Sequence, residues 1–598
     1  MNELLFIVSL CAAPNGDGSA EHPFNSPVAA RDALRQADRR ERAVVKFAPG
    51  TYELPEGFEL DARDHDIVFQ GGGGVRFTRS VAATPGGKVA CDAPPAPDAE
   101  YCLGTMRPHA PMFFYDHKWA QCARWPKTGW ATFSEAVDSG LRSRCLSGIL
   151  PDAPAVAGSF KFYDDRPARW NFENGVYLAG YWTHDWSFEC LRAAGFDAET
   201  HVMTLAGAAK YGLATGTWSE EKGRRFYAYN VREELSDPGE YYYDRKTGVV
   251  EFIPPKEGVG EFRAAVTEGP VVSLSGARDI VFDGITVEYA AGDGFRLENC
   301  ERVVVRDSQI RNVGGTGVVI NGGRNCEILR ATVADCGFCG AIVNGGDRKT
   351  LTRCDHLVAD CVISGFGRIC RCYAPGARVG GVGVTVRGCT FFDAPHSAVI
   401  YGGNDHLFAE NEVHDIMRET GDAGAFYTGR DPTSRGNVLL ANYVHDIGRP
   451  DGTAVNTMAF YIDDCDAGDS LISNRVKNVA RGLMLGGGHD NHIVGNTFEN
   501  CRIGMSIDAR GVVWNDRWDS PTDKSWQMTR KVQEMKVDEE PWRSRYPLLA
   551  TYLADGPREP RHIEVVGNKF VNCRESICYS MKADEYRHLF DMRGNTIE

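Results

Sequence analysis

The stretch Ala409–Asp466, AENEVHDIMRETGDAGAFYTGRDPTSRGNVLLANYVHDIGRPDGTAVNTMAFYIDDCD, holds two copies of one unit. Asn411-Glu-Val-His414-Asp415 recurs as Asn442-Tyr-Val-His445-Asp446, and Ala425-Phe-Tyr-Thr-Gly429 recurs as Ala459-Phe-Tyr-Ile-Asp463. In each copy a short apolar run follows an asparagine, and in the second a carboxylate replaces the closing glycine.

The unit extends in both directions. Short alternating strands recur from Val271 onward, at Asp279-Ile-Val-Phe282, Val303-Val-Val305, Leu407-Phe-Ala409, Ser470-Leu-Ile472, His492-Ile-Val494 and His562-Ile-Glu-Val-Val566. The later ones lead to Asn411, Asn442, Asn474, Asn496 and Asn568, with Asn595 near the end. The intervals are 31, 32, 22, 72 and 27 residues. Rungs of a parallel β-helix have about this length, and stacked asparagines bond along one of its turns. The expected fold is therefore all-β, a right-handed parallel β-helix. The last residues, Gly594-Asn-Thr-Ile-Glu598, stop where a further rung would begin, which points to a longer chain.

A second column aligns through the rungs. Apolar runs end at Ile320, Val343, Tyr401, Thr428, Ile462, Leu485 and Ile507, followed by Asn321, Asn344, Gly402, Gly429, Asp463, Gly486 and Asp508. Side chains alternate along a strand, so with Phe460 and Ile462 inward, Tyr461 and Asp463 face outward. Glycines on either side leave Asp463 uncovered, and Asp508 stands two rungs on, about 10 Å away. An aspartate beside a glycine is ordinarily a turn former. The company of Asp463 argues for chemistry: Tyr427, Tyr461, Arg430, Asp431, Asp464, Asp508 and Arg510, with His396 preceding another ladder strand and Asp422 in the glycine-framed turn Glu419-Thr-Gly-Asp-Ala-Gly424. Cleaving a glycosidic bond needs one carboxyl to protonate the leaving oxygen and another to attack or to activate water. On a straight strand Asp422 would stand about 20 Å from Asp463, against the roughly 5 to 9.5 Å of a working pair. Either the glycine turn folds Asp422 back or the partner is Asp508. His414 and His445 repeat with the rung and read as turn residues.

The rest of the chain frames this ladder. Its 598 residues include 66 glycines, with 43% hydrophobic and 10% aromatic residues and a net charge of −15. The charge argues against nucleic acid or an anionic membrane as partner, and weakly against a strongly anionic polymer; no run is long enough to span a membrane. Residues 1–106 read as a cap and first rungs, with strands at Phe6–Ser9, Val44–Phe47 and Asp66–Phe69 and an amphipathic helix over Pro27–Arg40. Residues 107–265 read as an inserted antiparallel β-rich domain with core tryptophans and hairpin turns at Asp237-Pro-Gly-Glu240 and Asp244–Gly248. Residues 266–598 read as the main helix, interrupted at 511–560 by a tryptophan-rich insertion whose Trp514, Trp518, Trp526 and Trp542 are expected to wall the cleft and contact sugar. The 19 cysteines form no metal or disulfide framework and read as buried, reduced packing residues. No metal-ligand spacing and no cofactor motif is present.

These features resemble family 141 of the glycoside hydrolases, which are right-handed parallel β-helix proteins. The resemblance rests on Phe6-Ile-Val-Ser9, Pro49-Gly-Thr-Tyr52, Ala123-Arg-Trp-Pro126, Glu233-Glu-Leu-Ser-Asp-Pro-Gly-Glu240 and Asp244-Arg-Lys-Thr-Gly248. Its most specific parts are Gly421-Asp-Ala-Gly-Ala-Phe-Tyr-Thr-Gly-Arg-Asp431 and Tyr461-Ile-Asp-Asp464. It implies α-L-fucosidase or xylanase-type activity on an oligo- or polysaccharide, without a cofactor, and Asp422 with Asp463 as the catalytic pair. It also implies a periplasmic or secreted protein. The odd cysteine number and a first apolar stretch without a basic start point instead to the cytoplasm. Two rivals remain on the same fold: a polysaccharide lyase, and a carbohydrate-binding scaffold without catalysis. Oligomeric state is left open.

Overall fold

The computed structural model describes residues 4–37, 41–102, 106–133, 135–140, 156–213, 224–449, 456–521 and 523–598. Three parallel sheets of 14, 12 and 13 strands, among the described residues, wind side by side, each pairing with the equivalent strand of the next turn. This is the parallel β-helix expected. Strand residues alternate inward and outward, and the inward ones form one continuous core from Val8 to Ala583.

The asparagine ladder stands as read. Asn411 Nδ2 donates to Asn442 Oδ1 at 2.9 Å, Asn442 to Asn474 at 2.9 Å, and Asn474 to Asn496 at 2.9 Å. Asn496 continues to Asn568 at 3.0 Å and Asn568 to Asn595 at 3.1 Å. Each receiving Oδ1 also accepts the backbone N–H of the rung before, as Asn442 does from Asn411 at 3.1 Å. Buried amides are thereby satisfied in a chain, which a buried polar group requires. Cys300, Cys326 and Cys501 are buried and Cys573 partly so, all free thiols packed at turns; Cys326 Sγ meets the Cys300 carbonyl at 3.4 Å.

Helix α1 (Pro27–Gln36) closes one end. Ser26 caps it by accepting the Ala29 N–H, proline sits in its first turn, and Ala30 and Leu34 are buried. It ends earlier than the apolar spacing suggested, because Ala37 is extended, and residues 38–40 lie outside those described. Between Val81 and Ala265 pairing is largely antiparallel: Tyr177–Tyr181 lies between Phe188–Asp197 and Arg224–Tyr229, and Trp182 and Trp170 are buried. The expected hairpin is present, Tyr241 facing Phe252 and Asp244 facing Val249.

One sheet carries the residues singled out above. Its strands are β1 (Ala377–Gly381), β2 (Val399–Tyr401), β3 (Ala423–Gly429), β4 (Thr457–Asp463), β5 (Arg481–Gly486) and β6 (Ile503–Asp508). Gly429 faces Asp463 and Gly486 faces Asp508, as aligned from sequence. The sequence column passed from Val343 straight to Tyr401; the structure interposes Val379 of β1, aligned with both. That rung follows a long irregular loop, which masks its spacing.

Candidate active site

A corner makes the site. Pairing between β3 and β4 skips Ala425 and Ala459, between β4 and β5 it skips Ala459 and Gly482, and between β5 and β6 Gly482 and Gly504. Only the smallest residues fit inside this bend. A Cβ on Gly482 would meet the Phe498 ring at 2.4 Å and one on Gly504 the Phe570 ring at 2.6 Å. Beyond the corner the chain turns back over the sheet's outer face. A Cβ on Gly424 would fall 2.6 Å from Tyr461 Cβ.

The corner turns Asp422 back onto Tyr461, on the strand that ends in Asp463. Asp422, in a left-handed conformation with φ 51°, donates its N–H to Asn456 O at 2.7 Å. Its carboxylate accepts from Tyr461 Oη at 3.2 Å and Asn456 Nδ2 at 3.4 Å. Asp463 Oδ2 accepts from Tyr427 Oη at 3.0 Å. The two tyrosines are neighbours on adjacent rungs, with ring centroids 5.4 Å apart at 78°. The turn before Asp422 is clamped by Glu419. Its carboxylate takes Arg371 Nε at 3.0 Å and Tyr181 Oη at 3.3 Å, and its carbonyl accepts from Arg225 and, at 3.1 Å, Arg449.

Beneath the pair lies an ionic network. Arg510 grips Asp508 at 2.8 Å, Asp464 at 2.9 Å and Asp463, and Arg430 Nε pairs with Asp464 at 2.5 Å. Left-handed backbone at Arg430, Asp464 and Cys465 brings these groups together. Four carboxyls, counting Asp422, thus face two guanidiniums, so one proton is favourably retained. Burial first, then the charge of Asp464, pushes Asp463 up to about 7 against the pull of Arg510. Asp464 moves down: burial opposes this, and Arg430 and Arg510 overcome it. Burial raises Asp422, moderated by Arg510 and by the Tyr461 hydrogen bond. Two acids of unequal proton affinity on one face are the equipment of acid–base chemistry.

The other expected contacts divide. Tyr427 and Tyr461 are in the site. Asp508 is 1% exposed and bound to Arg510, so it is a brace beneath the floor and not the open partner of Asp463; Asp464 and Arg510 are buried in the same brace. Asp431 takes Arg348 at 3.0 Å and Thr433 Oγ1 at 2.6 Å, away from the pair. His396, expected in the company of Asp463, is 2% exposed, its Nδ1 3.0 Å from Thr420 Oγ1, and burial pushes it down to about 3; it is a neutral support. Over it lies Tyr373, ring centroids 4.8 Å apart and 6.1 Å from Tyr427. Sequence reasoning missed Tyr373, Asn456 and Arg481. Tyr373 sits in an irregular loop with no periodic signal, and Asn456 precedes the run that had been aligned.

The tryptophan-rich insertion corrects one expectation. Trp518, Trp526 and Trp542 form its own core, because a short excursion with few strands needs large apolar side chains to hold together. Only Trp514 is partly open, with the Arg510 and Arg517 guanidiniums over its ring at 5.1 and 4.6 Å. The insertion buttresses Arg430 instead. Ser525 Oγ meets its guanidinium at 3.3 Å, and Lys531, from helix α2 (Met528–Met535), bonds its carbonyl. No cluster of three or more histidine, cysteine or acidic side chains fit to hold a metal occurs among the described residues, and none of their helices is long and apolar enough to cross a membrane.

A sequence family described as "Right handed beta helix region" matches residues 268–356 and 375–517. None of the curated proteins matches the chain in sequence. Among solved structures, one titled "Glycoside hydrolase" is similar at TM-score 0.59 and 14% identity, over 84% of this chain and 96% of its own. A structure of XylC with xylose gives TM-score 0.35 and 11% identity over 99% and 86%. The catalytic domain of a GH87 alpha-1,3-glucanase gives 0.25 and 10% over 82% and 92%. At these identities the first likeness establishes the fold, a right-handed parallel β-helix, and the other two are too loose to carry weight.

Proposed function

We propose that the protein is a glycoside hydrolase in which Asp463 donates a proton to the leaving oxygen. Asp422 works from the opposite wall, as nucleophile or as the base that activates water. The observation that carries this reading is the corner, which sets two carboxyls on the hydroxyls of neighbouring tyrosines. Their roles follow from their settings: Asp463 holds the proton longer, and Asp422 is the more open and more readily ionised.

Tyr427 orients the acid. Arg510 and Arg430 fix its neighbour Asp464 as a standing negative charge, which favours positive charge developing at the anomeric carbon. Gly402 has open space where a side chain would stand, so a glycan strand has room to lie along the helix axis. A lyase would need a free cation at the carboxyl pair itself, against a uronate carboxylate at the reacting carbon, and there Arg430 and Arg510 are both committed to carboxylates.

The resemblance to family 141 makes fucosides and xylosides the first substrates to test. Release of reducing ends by the wild type, with loss in Asp422→Asn and Asp463→Asn variants that remain folded, supports the reading. A product carrying a new carbon–carbon double bond replaces it with a lyase, and binding without cleavage replaces it with a scaffold.

A further inference from the structure

Arg481 opens β5 on the near side of the corner, in register with Met458 of β4 and Ile503 of β6. It stands on the wall that carries Asp422, two rungs further along the axis, about 10 Å on. Its Nη1 reaches back over the floor to Met484 Sδ at 3.0 Å and Ser506 Oγ at 3.2 Å. Met484 and Ser506 continue the outward column of Tyr427 and Tyr461, so the guanidinium overhangs the place next to those two tyrosines. It is half-buried, and no carboxylate lies within 4 Å of it among the described residues, unlike Arg430 and Arg510. Its Nε is buried without a hydrogen-bond partner. A thioether and a hydroxyl are weak partners for a guanidinium, whose planar fork suits an oxyanion.

We propose that Arg481 is the anchor of a subsite for an anionic substituent, a carboxylate or a sulfate, on the sugar unit adjoining the cleaved bond. This rests on the glycosidase reading for the position of that bond. It makes the substrate an acidic glycan in spite of the chain's net negative charge, since the local balance governs a single substituent. With Asp463 carrying its proton, the charges of Asp422, Asp464 and Asp508 are matched by Arg430, Arg510 and Arg481, so an anion beside Arg481 meets a neutral site.

The test is affinity electrophoresis of the wild type and Arg481→Gln in gels containing a glucuronic-acid-substituted xylan or a sulfated fucan. The carboxyl-reduced and desulfated counterparts serve as neutral controls. The expected result is retention by at least one acidic glycan, weakened about tenfold or more in Arg481→Gln and abolished for the neutral counterpart; Arg481→Lys recovers part of it. Whether the xylan or the fucan is retained identifies carboxylate or sulfate. Equal retention of wild type and variant, preference for the neutral forms, or no retention by either acidic glycan overturns the proposal. Reducing-end release from the same glycans is scored separately. Arg481-dependent retention without cleavage sustains the subsite and defeats the hydrolase reading, and cleavage indifferent to Arg481 does the reverse.

Discussion

Gly424 and Tyr461 touch across the corner so closely that a methyl group on the glycine would lie 2.6 Å from the tyrosine's Cβ. This approach brings Asp422 onto the Tyr461 hydroxyl. In Gly424→Ala the two chains must separate, at a cost of about 1–3 kcal/mol for overpacking. The expected outcome is a folded protein with a modestly lower melting temperature and at least tenfold less kcat, read by circular dichroism and by reducing-end release.

Tyr461→Phe removes the hydroxyl from Asp422 and leaves the ring. The lost hydrogen bond stabilised the charged form, so Asp422 protonates more readily. The acid limb of kcat/KM moves to higher pH, and kcat near neutrality falls by about ten- to a hundredfold. A pH–rate profile of the variant beside the wild type checks both.

Asp463 holds its proton up to about 7 in the folded protein, whereas the ordinary value is 3.8. The native state therefore binds more protons than the unfolded chain between these values, and stability falls as pH rises through that window. The contribution is complete below about 3.8 and lost above about 7, with a size of a few kcal/mol. Activity falls on the same alkaline side as the acid loses its proton. Urea denaturation from pH 4 to 8 is expected to show a shallower slope in Asp463→Asn, the remaining slope being shared by the other buried acids, Asp422, Asp469 and Glu189 among them.

Asn442→Leu interrupts the ladder far from the carboxyls. It leaves the Asn411 N–H and amide without their acceptor, and two buried donors without a partner cost about 2–5 kcal/mol together. Thermal unfolding should drop by several degrees or more while kcat of the remaining folded protein is unchanged.

The frame was legible in sequence because its constraints act locally. From Asn411 onward an asparagine on each turn must meet the next one, so its spacing is written into the chain, and Asp463 stood out because its neighbours in the column are glycines. The site was legible only in part. The corner is set by what fits beneath Ala425, Ala459, Gly482 and Gly504, which concerns packing between rungs and not the pattern along one. Tyr373 and Arg481 reach the floor from an irregular loop and from across the bend, where alternation says nothing of direction. Outward parity does not exclude a cover: Asp463, read as uncovered between two glycines, is gripped by Arg510, whose guanidinium fills the space above Gly486, and His396, grouped with it, lies under Tyr373.

The hydrogen bond from Asn496 to Asn568 is 3.0 Å long, as good as bonds between rungs with no excursion between them, although 72 residues separate the partners. The stack therefore keeps its register regardless of how much chain leaves and returns between two turns. Frame and furnishings are independent: the segment that steadies Arg430 can be lengthened, shortened or exchanged without re-spacing the carboxyls. A scaffold of this kind lets a lineage alter what the cleft accepts while the reacting groups stay where they are.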